Sequence, residues 1–149
     1  HTAIVLASQG ATVIIGCRSI ERGQEALKDI KQVSRSDRVE FIQLDLADTK
    51  SITNFAKEFN SKYSRLDILI NNAGVMAIVD RELTKDGFEM QFGTNHLGHF
   101  LLTHLLMEPL KQAAPSRIIN VSSDAHLVGD MHWNDLMGET SYGPVRSYA

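Results

Sequence analysis

The chain has 149 residues, 43% hydrophobic and 22% charged, which excludes disordered, collagen-like and low-complexity classes and fits one globular domain with its own core. A net charge of −3, with no Lys/Arg cluster beyond two neighbours, argues against a nucleic-acid surface, and the single cysteine, Cys17, excludes an internal disulfide and points to a reducing intracellular compartment. No apolar run approaches the roughly 18 residues of a membrane-spanning helix, and no signal peptide opens the chain.

In chain order, His1–Gln9 reads as a helix closed by Gly10, a C-cap signal. Thr12–Gly16 is a short β-branched run, read as a buried strand. Glu21 to Val33 places Ala26, Leu27, Ile30 and Val33 at helical spacing, and Val39–Leu44 is a second strand. Asp48 or Thr49 can cap a helix to Tyr63 that buries Ile52, Phe55, Ala56 and Phe59. Leu66–Ile70 is a third strand, Asp86 to about Gln112 reads as helix in two pieces around Gly93, and Arg117–Ser122 is a fourth strand. The first residue is not Met, and the chain stops at Tyr148-Ala149 directly after the turn residues Tyr142-Gly143-Pro144. A fragment of a longer protein is therefore expected, with a natural short isoform as the alternative.

Apolar strands separated by amphipathic helices indicate a parallel sheet with helices on both faces. Ligands of such sheets bind beyond the carboxyl ends of the strands. That rule selects Cys17-Arg18, Asp45-Leu46, Asn71-Asn72-Ala73-Gly74 and Ser122-Ser123. A nicotinamide site for the unphosphorylated coenzyme wants a carboxylate after its strand, to accept from the ribose 2′-hydroxyl. Cys17 and Arg18 stand there instead, and a guanidinium suits a 2′-phosphate; taken alone, Arg18 reads more readily as a solvated surface charge. Asp45 either accepts from an adenine amino group or caps the next helix. Two amides ending a buried strand need partners, and Ala73 and Gly74 let backbone approach a ligand closely.

Ser122-Ser123 ends the fourth strand, and Tyr148 follows further along. A Ser and a Tyr at one pocket could polarise and protonate a carbonyl. A phenol with an ordinary pKa near 10 needs a neighbouring cation to do so at neutral pH. His96, His99 and His104 lack Cys, Asp or Glu at ligand spacing on their helical face, so packing or hydrogen bonding is expected rather than a metal. Ser122 and Ser123 also lack the flanking glycines of a hydrolase nucleophile elbow.

Together these motifs resemble the short-chain dehydrogenase/reductase family. Asn71-Asn72-Ala73-Gly74 is similar to its central-strand signature, Asn120-Val121-Ser122-Ser123 to its catalytic-serine strand, and Tyr148-Ala149 to the start of its Tyr-x-x-x-Lys motif. Asn95-His96-Leu97-Gly98-His99-Phe100, Leu83-Thr84-Lys85-Asp86-Gly87 and Ser122-Ser123-Asp124-Ala125-His126 resemble its retinol-dehydrogenase-like branch. The resemblance implies a Rossmann-like, three-layer, doubly wound parallel sheet, incomplete at both ends, over residues 1–149 as one partial domain. It implies Ser123 holding a substrate carbonyl, Tyr148 as general acid/base and Asn95 supporting a proton relay. Arg18, Asp45, Leu46, Asn72, Ala73 and Gly74 would line the site for NADP(H).

The implied activity of the parent is reversible hydride transfer between NADP(H) and a lipophilic alcohol/carbonyl pair such as a retinoid or steroid. Membrane association of the parent at the endoplasmic reticulum is compatible with this, although these residues carry no span. The family's first strand and glycine-rich turn, which would cradle the pyrophosphate at a helix N-terminus, precede His1, and the Lys of the Tyr motif lies past Ala149. In the family order that first strand lies between the Thr12–Gly16 and Leu66–Ile70 strands, so two inner edges are expected unpaired. The rival reading of the chain taken literally is a truncated, non-catalytic form that acts through protein contacts or has no activity.

Overall fold

A computed structural model describes all 149 residues, which divide into two compact units, His1–Asp45 and Leu46–Ala149. The first unit runs α1 (Thr2–Ser8), β1 (Val13–Cys17), α2 (Ile20–Ser34) and β2 (Val39–Gln43). Gly10, at φ +89, turns the chain out of α1 in a backbone conformation that a side chain would strain. Ser19 caps α2 by accepting from the Arg22 N–H at 3.2 Å. Strands β1 and β2 pair in parallel, with Val13 opposite Val39 and Cys17 opposite Gln43. Their connection is α2, as a parallel pair requires. Ala7, Ile30 and Val39 are buried together, with Ala3, Ile4, Val13, Ile15, Ala26 and Leu27 packed around them.

In the second unit, α3 (Thr49–Lys62) leads to β3 (Ile68–Asn71). A helical run follows: α4 (Met90–Phe92), a π-helical turn (Gly93–Gly98), α5 (His99–Leu105) and α6 (Met107–Gln112). β4 (Arg117–Asn120) and a 3₁₀ turn (Asp124–Leu127) complete the regular elements. β3 and β4 are parallel, Ile68 opposite Arg117 and Asn71 opposite Asn120. Ile52, Phe55, Ala56 and Phe59 of α3 are buried as their spacing predicts, and so are Leu102, Leu106 and Leu110.

Each sheet holds only two strands, so every strand has one edge without a ladder partner. Parallel sheets are normally covered on both faces; here Ile118 is 42% and Ile119 45% exposed. Two helix-connected parallel pairs make this an α/β, Rossmann-like fold that is incomplete.

The structure departs from the sequence reading over residues 83–89. Asp86 does not begin a helix. Leu83 and Glu89 form an antiparallel bridge around a tight turn with Gly87 at φ +86, and the helix starts at Met90. Asp86 instead accepts from Thr49 N (2.9 Å) and Thr49 Oγ1 (2.6 Å) at the start of α3. Asp48 caps the same helix through the Lys50 and Ser51 N–H groups, and its salt bridge with Lys85, at 2.6 Å, comes first in holding its carboxyl below the ordinary range. Two carboxylates at one helix N-terminus are electrostatically favoured.

The glycine with least room for a side chain in the first unit is Gly23 of α2, which lies against the Phe41 ring of β2, where an added Cβ would collide with three ring carbons. Gly23→Ala is expected to destabilise the protein by about 1–3 kcal/mol, the usual cost of overpacking. Chemical denaturation of parent and variant at equal concentration measures this, and an unchanged midpoint would refute the packing.

Candidate active site

The site begins where β3 ends. Asn71, the last strand residue, is buried, and its side-chain N–H₂ donates to Asn120 Oδ1 (2.8 Å) and Thr103 Oγ1 (3.1 Å). The first of the two adjacent amides is thus a structural tie between the carboxyl ends of β3 and β4. The next three residues, Asn72, Ala73 and Gly74, are exposed. β4 stops at Asn120, two residues before the expected end, because its partner β3 stops at Asn71. Val121 N still donates to Asn71 O at 3.0 Å, and Ser122 and Ser123 fall in the loop.

These two strand ends open onto a cavity of about 360 Å³, within the size range of small-molecule sites. Its walls are Asn72 to Met76, Asn95, His99, Val121 to Ser123, His126, Tyr148 and Ala149. Six of the expected site residues, Asn72, Ala73, Gly74, Asn95, Ser123 and Tyr148, therefore share one cavity. Leu46 is not among its walls: it is buried, and an added Cβ on Gly98 would stand 2.5 Å from its carbonyl oxygen. Arg18 and Asp45 belong to the first unit, where Arg18 is exposed and its carbonyl accepts from Gln43 Nε2 at 3.1 Å.

Ser123 Oγ accepts from the Ala125 N–H at 3.2 Å and caps the 3₁₀ turn. A hydroxyl that accepts one bond still has its proton to give, so Ser123 can donate into the cavity. His126 folds back, its Nδ1 2.6 Å from Ser123 O. Tyr148 sits on a single helical turn, with Ser147 N donating to Gly143 O (2.7 Å) and Ala149 N to Val145 O (2.9 Å).

Asn95 walls the cavity and is tied to the loop after β3. Its side chain is spent on backbone: Oδ1 accepts from Val75 N and Nδ2 donates to Val75 O, both at 2.8 Å. Gly74 permits this approach, since an added Cβ there would lie 3.2 Å from Asn95 Oδ1. Asn95's carbonyl receives His99 Nδ1 at 2.8 Å. A carbonyl only accepts, so Nδ1 carries the hydrogen, and in the neutral ring Nε2 is an acceptor. His99 and His126 are cavity residues that sequence reasoning did not place there. For His99 the four-residue spacing from Asn95 was the available signal, since residues four apart share a helix face. No three His, Cys, Asp or Glu residues are grouped to hold a metal ion.

Comparison with known proteins identifies the family. The short chain dehydrogenase family profile matches residues 1–135, and the chain belongs to that family. Retinol dehydrogenase 11 of Homo sapiens is 51% identical over 148 residues, 99% of this chain and 46% of that protein. The chain thus spans about half the length of the curated relatives it matches. An uncharacterized protein from Mycobacterium paratuberculosis superimposes with a TM-score of 0.84 at 42% identity, over 99% of this chain and 50% of that one. RhlG of Pseudomonas aeruginosa, solved as an NADP active-site complex, gives a TM-score of 0.71 at 27% identity over 98% of this chain and 56% of that one.

Two outcomes test the site's construction. Asn95→Ala removes both bonds to Val75, each worth about 0.5–1.5 kcal/mol net, so the Val75 amide should exchange with solvent at least about tenfold faster, and unchanged protection would refute the clamp. The loop that precedes Tyr142 is held by Asp135, whose carboxylate accepts from Thr140 Oγ1 (2.7 Å), Glu139 N (2.7 Å), Thr140 N (3.2 Å) and Ser141 N (3.1 Å). These bonds, the Thr140 hydroxyl foremost, lower its pKa from the ordinary 3.8 to about 2. A depressed carboxylate stabilises above its unfolded pKa and stops doing so as pH falls through the folded one. Protection of the Glu139 and Ser141 amides should hold down to about pH 4 and disappear between 3.8 and about 2; loss already at pH 5 would contradict the arrangement.

Proposed function

We propose that the longer protein carrying this chain is an oxidoreductase that interconverts a lipophilic alcohol and its carbonyl with NADP(H), with a retinoid or steroid as the substrate class. The observation that carries the reading is that Ser123 and Tyr148, distant in sequence, wall the same cavity as the exposed Asn72-Ala73-Gly74 loop. That loop fits a nicotinamide coenzyme: its three residues face solvent, two of them have little or no side chain, and backbone can approach a flat ring closely.

When bound, the coenzyme supplies or accepts hydride. The chain's own residues do the rest. Ser123 donates its hydroxyl proton in a hydrogen bond to the carbonyl oxygen, which draws electron density from the carbon. Tyr148 gives its phenolic proton to the oxygen as negative charge develops there, and takes it back in the oxidation direction. A Lys four positions after Tyr148, which the resemblance implies for the longer protein, would stabilise the phenolate. Asn95 and its bonds to Val75 hold the coenzyme loop against the helix. Val75, Met76 and Val121 give the cavity an apolar side, which suits a lipophilic substrate. Arg18, permanently charged and exposed, is assigned to the 2′-phosphate, with Asp45 assigned to the adenine. RhlG, named as an NADP complex, supports the phosphorylated coenzyme by kinship.

In the full-length protein with all-trans-retinal as probe, Tyr148→Phe should lower kcat by about a hundredfold or more while leaving NADPH affinity within twofold. Ser123→Ala should lose less. Near-parental turnover of Tyr148→Phe would end this reading. Arg18→Ala should weaken NADPH binding by about ten- to a hundredfold, one charge-assisted contact, and spare NADH; equal losses for both coenzymes would remove Arg18 from the 2′-phosphate site.

A further inference from the structure

We propose that Gln91 is a positioning residue for Tyr148, an inference that rests on Tyr148 being the general acid of the proposed reaction. Gln91 does not wall the cavity. It is 1% exposed, among the most deeply buried side chains of the protein. An amide taken that far from water must be bonded or it destabilises the fold. Only its donor end is bonded: Nε2 donates to Pro144 O at 3.0 Å and to the Tyr142 hydroxyl oxygen at 3.3 Å, while Oε1 is buried without a partner. The side chain is therefore poorly satisfied as a core residue, and its bonds all go to the segment that carries Tyr148.

The turn itself shows what Gln91 does. In an α-helical turn the Tyr148 N–H would bond to Pro144 O, four residues back. Here it bonds to Val145 O at 3.2 Å, a 3₁₀ spacing, and the Pro144 carbonyl is taken by Gln91 instead. Gln91 thus occupies the acceptor that Tyr148 leaves, between Ser147 and Ala149, whose N–H groups keep α-type bonds to Gly143 O and Val145 O. Tyr142 secures the other side by donating from its hydroxyl to Ile78 O at 2.6 Å. Gln91 is fixed in turn, since its own N–H bonds to Glu89 Oε1 at 3.0 Å. Gln91, Asn95 and His99 form one stripe at intervals of four. Asn95 holds the coenzyme loop through Val75, and Gln91 holds the Tyr148 turn through Pro144. One helical run thereby sets the distance between the two halves of the reacting pair.

The test uses the full-length protein with retinal and NADPH. Gln91→Met keeps the buried length and removes the donor. We expect kcat to fall about tenfold or more with KM and NADPH affinity within twofold of the parent. With ring-labelled tyrosine, the Tyr148 resonance should double or broaden while that of Tyr63 stays single. Parental kcat and a single parental Tyr148 resonance in Gln91→Met would overturn the proposal. Should that variant not fold, Gln91→Asn, which withdraws the donor by one methylene, carries the same two measurements. Tyr148→Phe run in parallel separates the two ideas. If it is inactive while Gln91→Met behaves as the parent, the positioning role falls and the proposed reaction stands. If Tyr148→Phe is fully active, the reaction falls, and the resonance alone then decides whether Gln91 holds the turn.

Discussion

The pair of hydrogen bonds between the Asn95 side chain and the Val75 backbone is the constraint on which the second unit's site depends. It fastens the loop after β3 to the helical run that starts at Met90, and that loop and the serine loop after β4 wall one cavity. Its neighbours are shaped for it. Gly74 leaves room for the amide, and Gly98 lets the helix lie against the Leu46 backbone. The π-helical turn, Gly93–Gly98, surrounds Asn95, and π turns inside helices frequently mark functional positions.

The start of that helix is fixed by electrostatics as well as by packing. Glu89, 1% exposed, caps it by accepting from the Gln91 and Phe92 N–H groups at 3.0 and 2.7 Å. The turn before it is held to α3 by Asp86 on Thr49 and by Lys85 on Asp48. The family-like stretch Leu83 to Gly87 is therefore structural: it sets where the helix begins, and hence where Asn95 points. The cavity walled by Ser123 and Tyr148 rests on a chain of ordinary capping and pairing interactions.

Much of this was legible beforehand, for identifiable reasons. β1 to β4 are short strands rich in Val and Ile, and the rule that ligands collect at carboxyl strand ends singled out Asn72, Gly74 and Ser123, which share a cavity, along with Arg18 and Asp45, which lie in the first unit. The region 83–92 was not legible. Its apolar spacing continues the helical period upstream, and only tertiary partners turn Asp86 into a cap for α3 and Glu89 into a buried cap for α4. The part played by Asn95 was also hidden. That its side chain meets the Val75 backbone depends on the chain path. Nothing in the sequence marks Gln91 as buried, since glutamine is mostly exposed. Its burial arises from the return of residues 142–144, about fifty positions later.

The most direct measurement is a crystal structure of the full-length protein with coenzyme and a non-reactive carbonyl analogue. The account predicts the ligand's carbonyl oxygen within hydrogen-bond reach of both Ser123 Oγ and Tyr148 Oη, with Asn95 still bonded to Val75. An oxygen that meets neither hydroxyl, or an Asn95 side chain released from Val75 to bind the ligand, would contradict it.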